Sequence, residues 1–141
     1  KDYADTAQRI SDLAKDVSER VSHEAWPAGK LVPRGERVAF HSPCTLQHGQ
    51  KLNGVVESIL TRAGFELTAV DNPHLCCGSA GTYSILQAEL SQQLLDNKLN
   101  SLEKHAPAII ATANIGCQLH LQSKAKTPVM HWVELMEKVI R

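Results

Sequence analysis

Apolar positions along this chain follow two alternating rhythms. Over residues 3–22, Ala7, Ile10, Leu13, Ala14, Val17 and Val21 recur at three- and four-residue steps, with Asp12, Lys15, Asp16 and Glu19 on the other face, which predicts one lead-in helix. Trp26-Pro27-Ala28-Gly29 and Pro33-Arg34-Gly35 break any regular element, so a linking loop is expected before a compact domain opens near Glu36. From there short apolar runs alternate with amphipathic stretches. Residues 37–41 predict a strand, Ser42-Pro43-Cys44-Thr45 a turn, and Leu52, Val55, Val56, Ile59, Leu60 and Ala63 a helix, with Gly64 placed as its C-terminal cap. Residues 65–70 predict a second strand, closed by Asp71-Asn72-Pro73. A long helix is expected after Gly81, running to about His105. Its stripe drifts from Tyr83, Leu86, Leu90 and Leu94 to Leu95, Leu99 and Leu102, which predicts a kink or burial on two sides. The unbroken apolar run 108–113 reads as a central parallel strand covered on both faces. A third helix over 114–123, a strand over 127–131 and a last helix with Trp132, Leu135, Met136, Val139 and Ile140 inward complete the series.

Strand and helix alternating about four times imply an α/β fold. The expected architecture is an open, mainly parallel four-stranded sheet with helices on both faces, a Rossmann-like three-layer arrangement preceded by an N-terminal helix. The 141 residues suit one domain, so the division is 1–35 as lead-in helix and linker and 36–141 as the domain. Phe40, Phe65, Trp132 and Met136 are assigned to its core, and Trp26 either to an interface or to the cover of its own domain. Lysine and arginine balance aspartate and glutamate at 15 each, which removes the cationic field that nucleic acid or anionic lipid requires. No apolar stretch approaches the roughly 18–20 residues that cross a bilayer, and the start of the chain does not read as a signal peptide. A soluble piece is expected. Because the sequence opens on Lys1 and reads as mid-protein, it is expected to be part of a longer subunit.

Four cysteines without a signal peptide suggest a reducing, cytoplasmic setting, in which such residues are more often metal or redox groups than staples. Cys44 follows the first predicted strand, Cys76 and Cys77 the second, and Cys117 the third. In an open parallel sheet these are the carboxyl ends, where ligands gather. Each thiol is also expected near a helix start, whose dipole lowers thiol pKa, and Gly78, Gly81 and Gly116 would let the backbone approach a bulky group. Small buried hydrophobes and a disulfide framework are the weaker explanations. Zinc is a rival, with Cys44, Cys76 or Cys77, Cys117 and His120 as a tetrahedral set. The vicinal pair suits an iron–sulfur cluster better, since two sulfurs can then reach different irons.

Pro43-Cys44, Cys76-Cys77-Gly78 and Gly116-Cys117, with Cys76 following Cys44 by 32 residues and Cys117 following Cys77 by 40, resemble the cysteine-rich CCG domain. Three longer stretches, 41–49, 75–83 and 113–121, are similar to the C-terminal part of the iron–sulfur subunits of bacterial glycolate oxidases. The resemblance covers about residues 36–141. Where the general pattern has a final cysteine this chain has His120, as is usual in the glycolate oxidase branch; an imidazole ligand there, or a histidine hydrogen-bonded beside the site, both remain open.

The resemblance implies an electron-transfer role. Electrons from flavin-dependent oxidation of glycolate to glyoxylate would pass through an iron–sulfur cluster, of the 4Fe-4S type, towards a respiratory acceptor. It implies Cys44, Cys76, Cys77 and Cys117 as metal ligands, His120 as a further cofactor-binding residue, and no catalytic residue in this piece. Partners would be a flavin-containing subunit and an upstream ferredoxin-like domain, with no nucleic acid and no membrane span. The location would be cytoplasmic, or peripheral at the cytoplasmic face of the inner membrane through the complex. A zinc-binding docking module, and a thiol redox domain in which Cys76 and Cys77 cycle, as in related heterodisulfide reductases, are the alternatives. His41, His48 and His74, which lie beside the cysteines, are taken as solvated.

Overall fold

The computed structural model describes residues 3–26 and 35–139. Four strands, β1 (Arg37–His41), β2 (Glu66–Leu67), β3 (Ile109–Thr112) and β4 (Val129–His131), form one sheet in the order β2-β1-β3-β4, and all neighbours run parallel. The expected four-stranded α/β sheet is present. Helices α1 (Ala4–Leu13), α2 (Val17–His23), α3 (Val55–Arg62), α4 (Tyr83–Leu86), α5 (Ala88–Glu103), α6 (Ile115–Gln122) and α7 (Trp132–Val139) surround it, with one π-helical turn, Thr45–Gly49, directly after Cys44.

Strand periodicity sorts the two faces. Val38, Phe40, Ile109 and Ala111 pack with Val56, Ile59 and Leu60 of α3 and Trp132, Leu135, Met136 and Val139 of α7. Ala39 and Ile110 point the other way, onto Leu95, Leu99 and Leu102 of α5 and Leu121 of α6, with the Cys77 side chain in the same cluster. Side chains alternate across a strand, so His41 and Thr112, each two residues beyond one of these, fall on the α5/α6 face beside Cys77. All four residues of β3 are buried, as its unbroken apolar run predicts. Phe40, Phe65, Trp132 and Met136 are core.

Several elements depart from the sequence expectation. The lead-in stretch is two helices, because Asp16 starts a new one: its carboxylate accepts from the Ser18 N–H while Glu19 reaches back to the Asp16 N–H, a reciprocal capping box. Only α2 is tied to the sheet domain. Arg62 donates to the carbonyls of Val21 and Ser22 and stacks its guanidinium 3.6 Å from the Trp26 ring, so that tryptophan covers its own domain. Along α1 no residue is buried. The second strand shrinks to two residues. The long helix is broken at Gln87, whose φ of −128° and ψ of 51° are not helical, which is the kink its drifting stripe predicts, although the stripe residues Leu86 and Leu90 are exposed. Gly64, at φ 92°, is the left-handed terminator foreseen after α3. Ile140 and residues 27–34 lie outside the described residues, where the expectation placed part of the last stripe and most of the linker. Among the described residues no helix is long and apolar enough to cross a membrane.

Candidate metal centre

The three segments that leave the carboxyl ends of β1, β2 and β3 converge. Cys44, Cys76, Cys77 and Cys117 line one cavity of about 440 Å³, together with Ser79, Asn114 and Gly116. All four are free thiols; Cys77 is buried, Cys76 and Cys117 half-buried, and Cys44 exposed at the mouth.

Each segment is fixed locally. After β1, the Gln47 amide in the π-helical turn donates to the Ser42 carbonyl (2.5 Å) and to the Pro73 carbonyl (3.2 Å), which couples the Cys44 turn to the Cys76-Cys77 loop. That loop is strapped onto α5 by three side chains on one helical row. The Lys98 ammonium donates to the Pro73 carbonyl (2.9 Å), the Ser101 hydroxyl donates to the Asp71 carbonyl, and Lys104 pairs with the Asp71 carboxylate. Further on, the Gly78 N–H donates to the Cys76 Sγ at 3.3 Å. Gly78 has φ 93°, and a Cβ there would sit 2.5 Å from the Ser91 carbonyl oxygen, so only glycine lets the loop lie this close to α5. On the third segment Asn114 caps α6, its Oδ1 accepting from the N–H groups of Gly116 (2.9 Å) and Cys117 (3.2 Å).

Proximity and burial, rather than helix dipoles, govern the thiols. Burial, with Cys76 alongside, pushes Cys44 up. Cys77 is held well below the usual thiol range, foremost because the Cys117 thiol donates to it, with His41 and the Ser79 N–H adding to this against burial. Cys117 is raised in return, chiefly by that same contact and then by burial. The expectation that helix starts lower every thiol is therefore corrected: only Cys117 lies in the first turn of an α-helix, and it moves up. Cys77 precedes the four-residue α4 by several positions.

His41 overturns its reading as a solvated loop residue. It is wholly buried at the end of β1, and neither ring nitrogen has a nitrogen or oxygen partner. Its ring nitrogen and the sulfurs of Cys77 and Cys117 lie within 4.8 Å of one another. Burial lowers its pKa, helped by Lys98 and opposed by Cys77. His48 and His74 are exposed, as expected. His120 is elsewhere: its Nε2 lies 3.2 Å from the Ser91 hydroxyl, behind the Gly78 turn, and it is not among the residues lining the cavity. Lys98 also escaped the sequence reading, although a lysine between Leu95, Leu99 and Leu102 was a visible interruption of an apolar stripe.

A parallel α/β sheet carrying a cluster of four thiols, buried at its inner end, at the carboxyl ends of its strands defines a cysteine-rich site domain. Residues 38–122 match the family described as CCG, cysteine-rich domain, and the chain belongs to that family. It is 54% identical over 139 residues to the glycolate oxidase iron-sulfur subunit of Escherichia coli (strain K12), a match covering 98% of this chain and 34% of that subunit. It is 24% identical over 143 residues to lactate utilization protein A of Bacillus licheniformis, covering 95% of this chain and 59% of the relative. A probable glycolate oxidase iron-sulfur subunit of Bacillus subtilis is 37% identical over 59 residues, 42% of this chain and 13% of the relative. The chain thus spans about a third of the length of its E. coli relative.

Proposed function

We propose that this chain is the iron–sulfur electron-transfer part of an oxidoreductase complex that acts on a 2-hydroxy acid, glycolate by its likeness to the E. coli subunit. The observation that carries this is the convergence of Cys44, Cys76, Cys77 and Cys117 on one cavity. The donor set fits a cluster: sulfurs from three separate segments, two of them vicinal and so able to serve different metal atoms, with a backbone N–H already on the Cys76 sulfur. When bound, a 4Fe-4S cluster would supply one-electron transfer. The four cysteines would hold it, and His41 is a fifth donor at the buried end of the same site.

The chain's own residues do the rest. Gln47, Lys98, Ser101 and Lys104 hold the Cys76-Cys77 loop against the Cys44 turn and α5, which keeps the sulfurs preorganised. His120 acts through Ser91 on the Gly78 turn, as a positioning residue. The oxidation of the 2-hydroxy acid would occur on a flavin-containing partner subunit, with an upstream ferredoxin-like domain and a respiratory acceptor completing the path. The complex would work in the cytoplasm or at the cytoplasmic face of the inner membrane.

Zinc is the second reading, favoured by the His41, Cys77 and Cys117 triad, a three-ligand set of the kind zinc accepts. Iron, sulfide and zinc content of protein purified without oxygen separates the two. The expected product is brown, with iron and sulfide in matching amounts that fall sharply in Cys76→Ser. Stoichiometric zinc in a colourless product that survives Cys76→Ser would replace the electron carrier with a zinc module.

A further inference from the structure

Lys98 is completely buried, the only lysine or arginine of which this is true among the described residues. Taking an ammonium out of water costs several kcal/mol unless charge or hydrogen bonds compensate it. Its position on α5 follows Ser91 and Leu95 and precedes Leu102, all buried, so a leucine or methionine would complete the packing without that cost. One of its three donors meets the Pro73 carbonyl, which already accepts from Gln47. One charge-assisted hydrogen bond to an oxygen already shared with Gln47 leaves the other two donors of a buried cation unexplained.

Lys98 lies on one helical row with Leu95 and Leu102, which pack in one cluster with Cys77, and its charge acts with those of all four cysteines. Burial lowers its pKa, and each cysteine opposes that. The loop it ties to α5 begins three residues before Cys76, and the same Pro73 carbonyl accepts from Gln47 of the Cys44 turn, so the cation sits where two of the cysteine-bearing segments meet.

We infer that Lys98 is the fixed counter-charge of the sulfur site and raises the reduction potential of the centre held there. The inference rests on the iron–sulfur reading above. One-electron reduction leaves the site one charge more negative, and a buried cation favours that state; the side chain itself neither binds metal nor moves a proton.

The test is an anaerobic redox titration, followed by electron paramagnetic resonance, of the reconstituted chain and its Lys98→Met, Lys98→Arg and Gln47→Leu variants, with melting of each metal-free protein. The wild type is measured first: if it takes up no iron and sulfide, the proposed function fails before any variant is compared, and this inference with it. Given a loaded wild type, Lys98→Met, compared per iron loaded because its strap on Pro73 is lost, should show a reduced-to-oxidised ratio at least about tenfold lower at a fixed potential, which is about 59 mV for one electron. Lys98→Arg should stay within about threefold of wild type, and Gln47→Leu, whatever iron it loses with its strap on Pro73, should keep the clusters it retains within the same margin. An unchanged potential in Lys98→Met overturns the inference, as does an equal shift in Gln47→Leu, which would assign the effect to the Pro73 hydrogen bond. Should Lys98→Met not fold, Lys98→Gln takes its place under the same criterion, and failure of both to fold would make Lys98 a residue of the fold alone.

Discussion

Ser91 and His120 share one proton-donor relay behind the cysteine loop. The Ser91 hydroxyl donates its single hydrogen to the Gly78 carbonyl at 2.8 Å, so at the 3.2 Å contact between Ser91 Oγ and His120 Nε2 the ring must donate. That fixes a hydrogen on Nε2, and this nitrogen has no lone pair for a metal while the relay holds. The Nε2 of His120, which stands where the general pattern has a cysteine, is therefore engaged with Ser91.

From this relay we expect Ser91→Ala to lower the stability of the metal-free chain by about 1–3 kcal/mol, since it strands a buried carbonyl. Iron uptake should fall in parallel, whereas His120→Gln, which can still donate to the hydroxyl, should retain most of it. Urea unfolding and iron analysis measure both; full iron loss in His120→Gln would make the imidazole a ligand.

Gly78→Ala should be more severe. The new methyl would meet the Ser91 carbonyl oxygen at 2.5 Å in a backbone with φ 93°, so the loop must move. A cost of about 2 kcal/mol or more is expected, with loss of the site. Thermal unfolding together with iron content checks it, and a variant that melts and loads like wild type would contradict the close approach.

Glu57 gives a pH signature. On α3, burial raises its pKa above the ordinary carboxyl value, against hydrogen bonds from the N–H groups of Glu57 and Gly54. A folded pKa above the unfolded one means that the stabilising contribution of the protonated form is complete below about pH 4 and is lost as pH rises through the folded value. Glu57→Gln should thus be more stable than wild type at neutral pH, with the difference shrinking as the solution is acidified. Melting temperatures of the pair across pH 4–8 test this; a constant gap would exclude titration of Glu57 as its source.

Removing the Arg62 side chain should loosen α2 without touching the site. Arg62→Ala loses two carbonyl hydrogen bonds and the stack on Trp26. Tryptophan fluorescence should shift to the red and stability fall by about 1 kcal/mol, while iron content stays at the wild-type level. A fall in iron content would show that α2 supports the centre after all.

The chain by itself determined the alternation that makes a parallel sheet, the core aromatics and the segments on which the four cysteines sit, because periods of two and 3.6 residues are local properties. It also carries a capping box at Asp16, within a stripe whose apolar period runs on unbroken, and a terminator at Gly64. Only the tertiary structure decided which side chains share the site. His41 comes in because the strand places it on the Cys77 face, whereas His120 does not line the cavity and meets the Ser91 hydroxyl through its Nε2. Lys98 is buried against the loop that bears the cysteine pair because α5 straps that loop. Burial and charge compensation act between groups far apart in sequence, so no local pattern contains them.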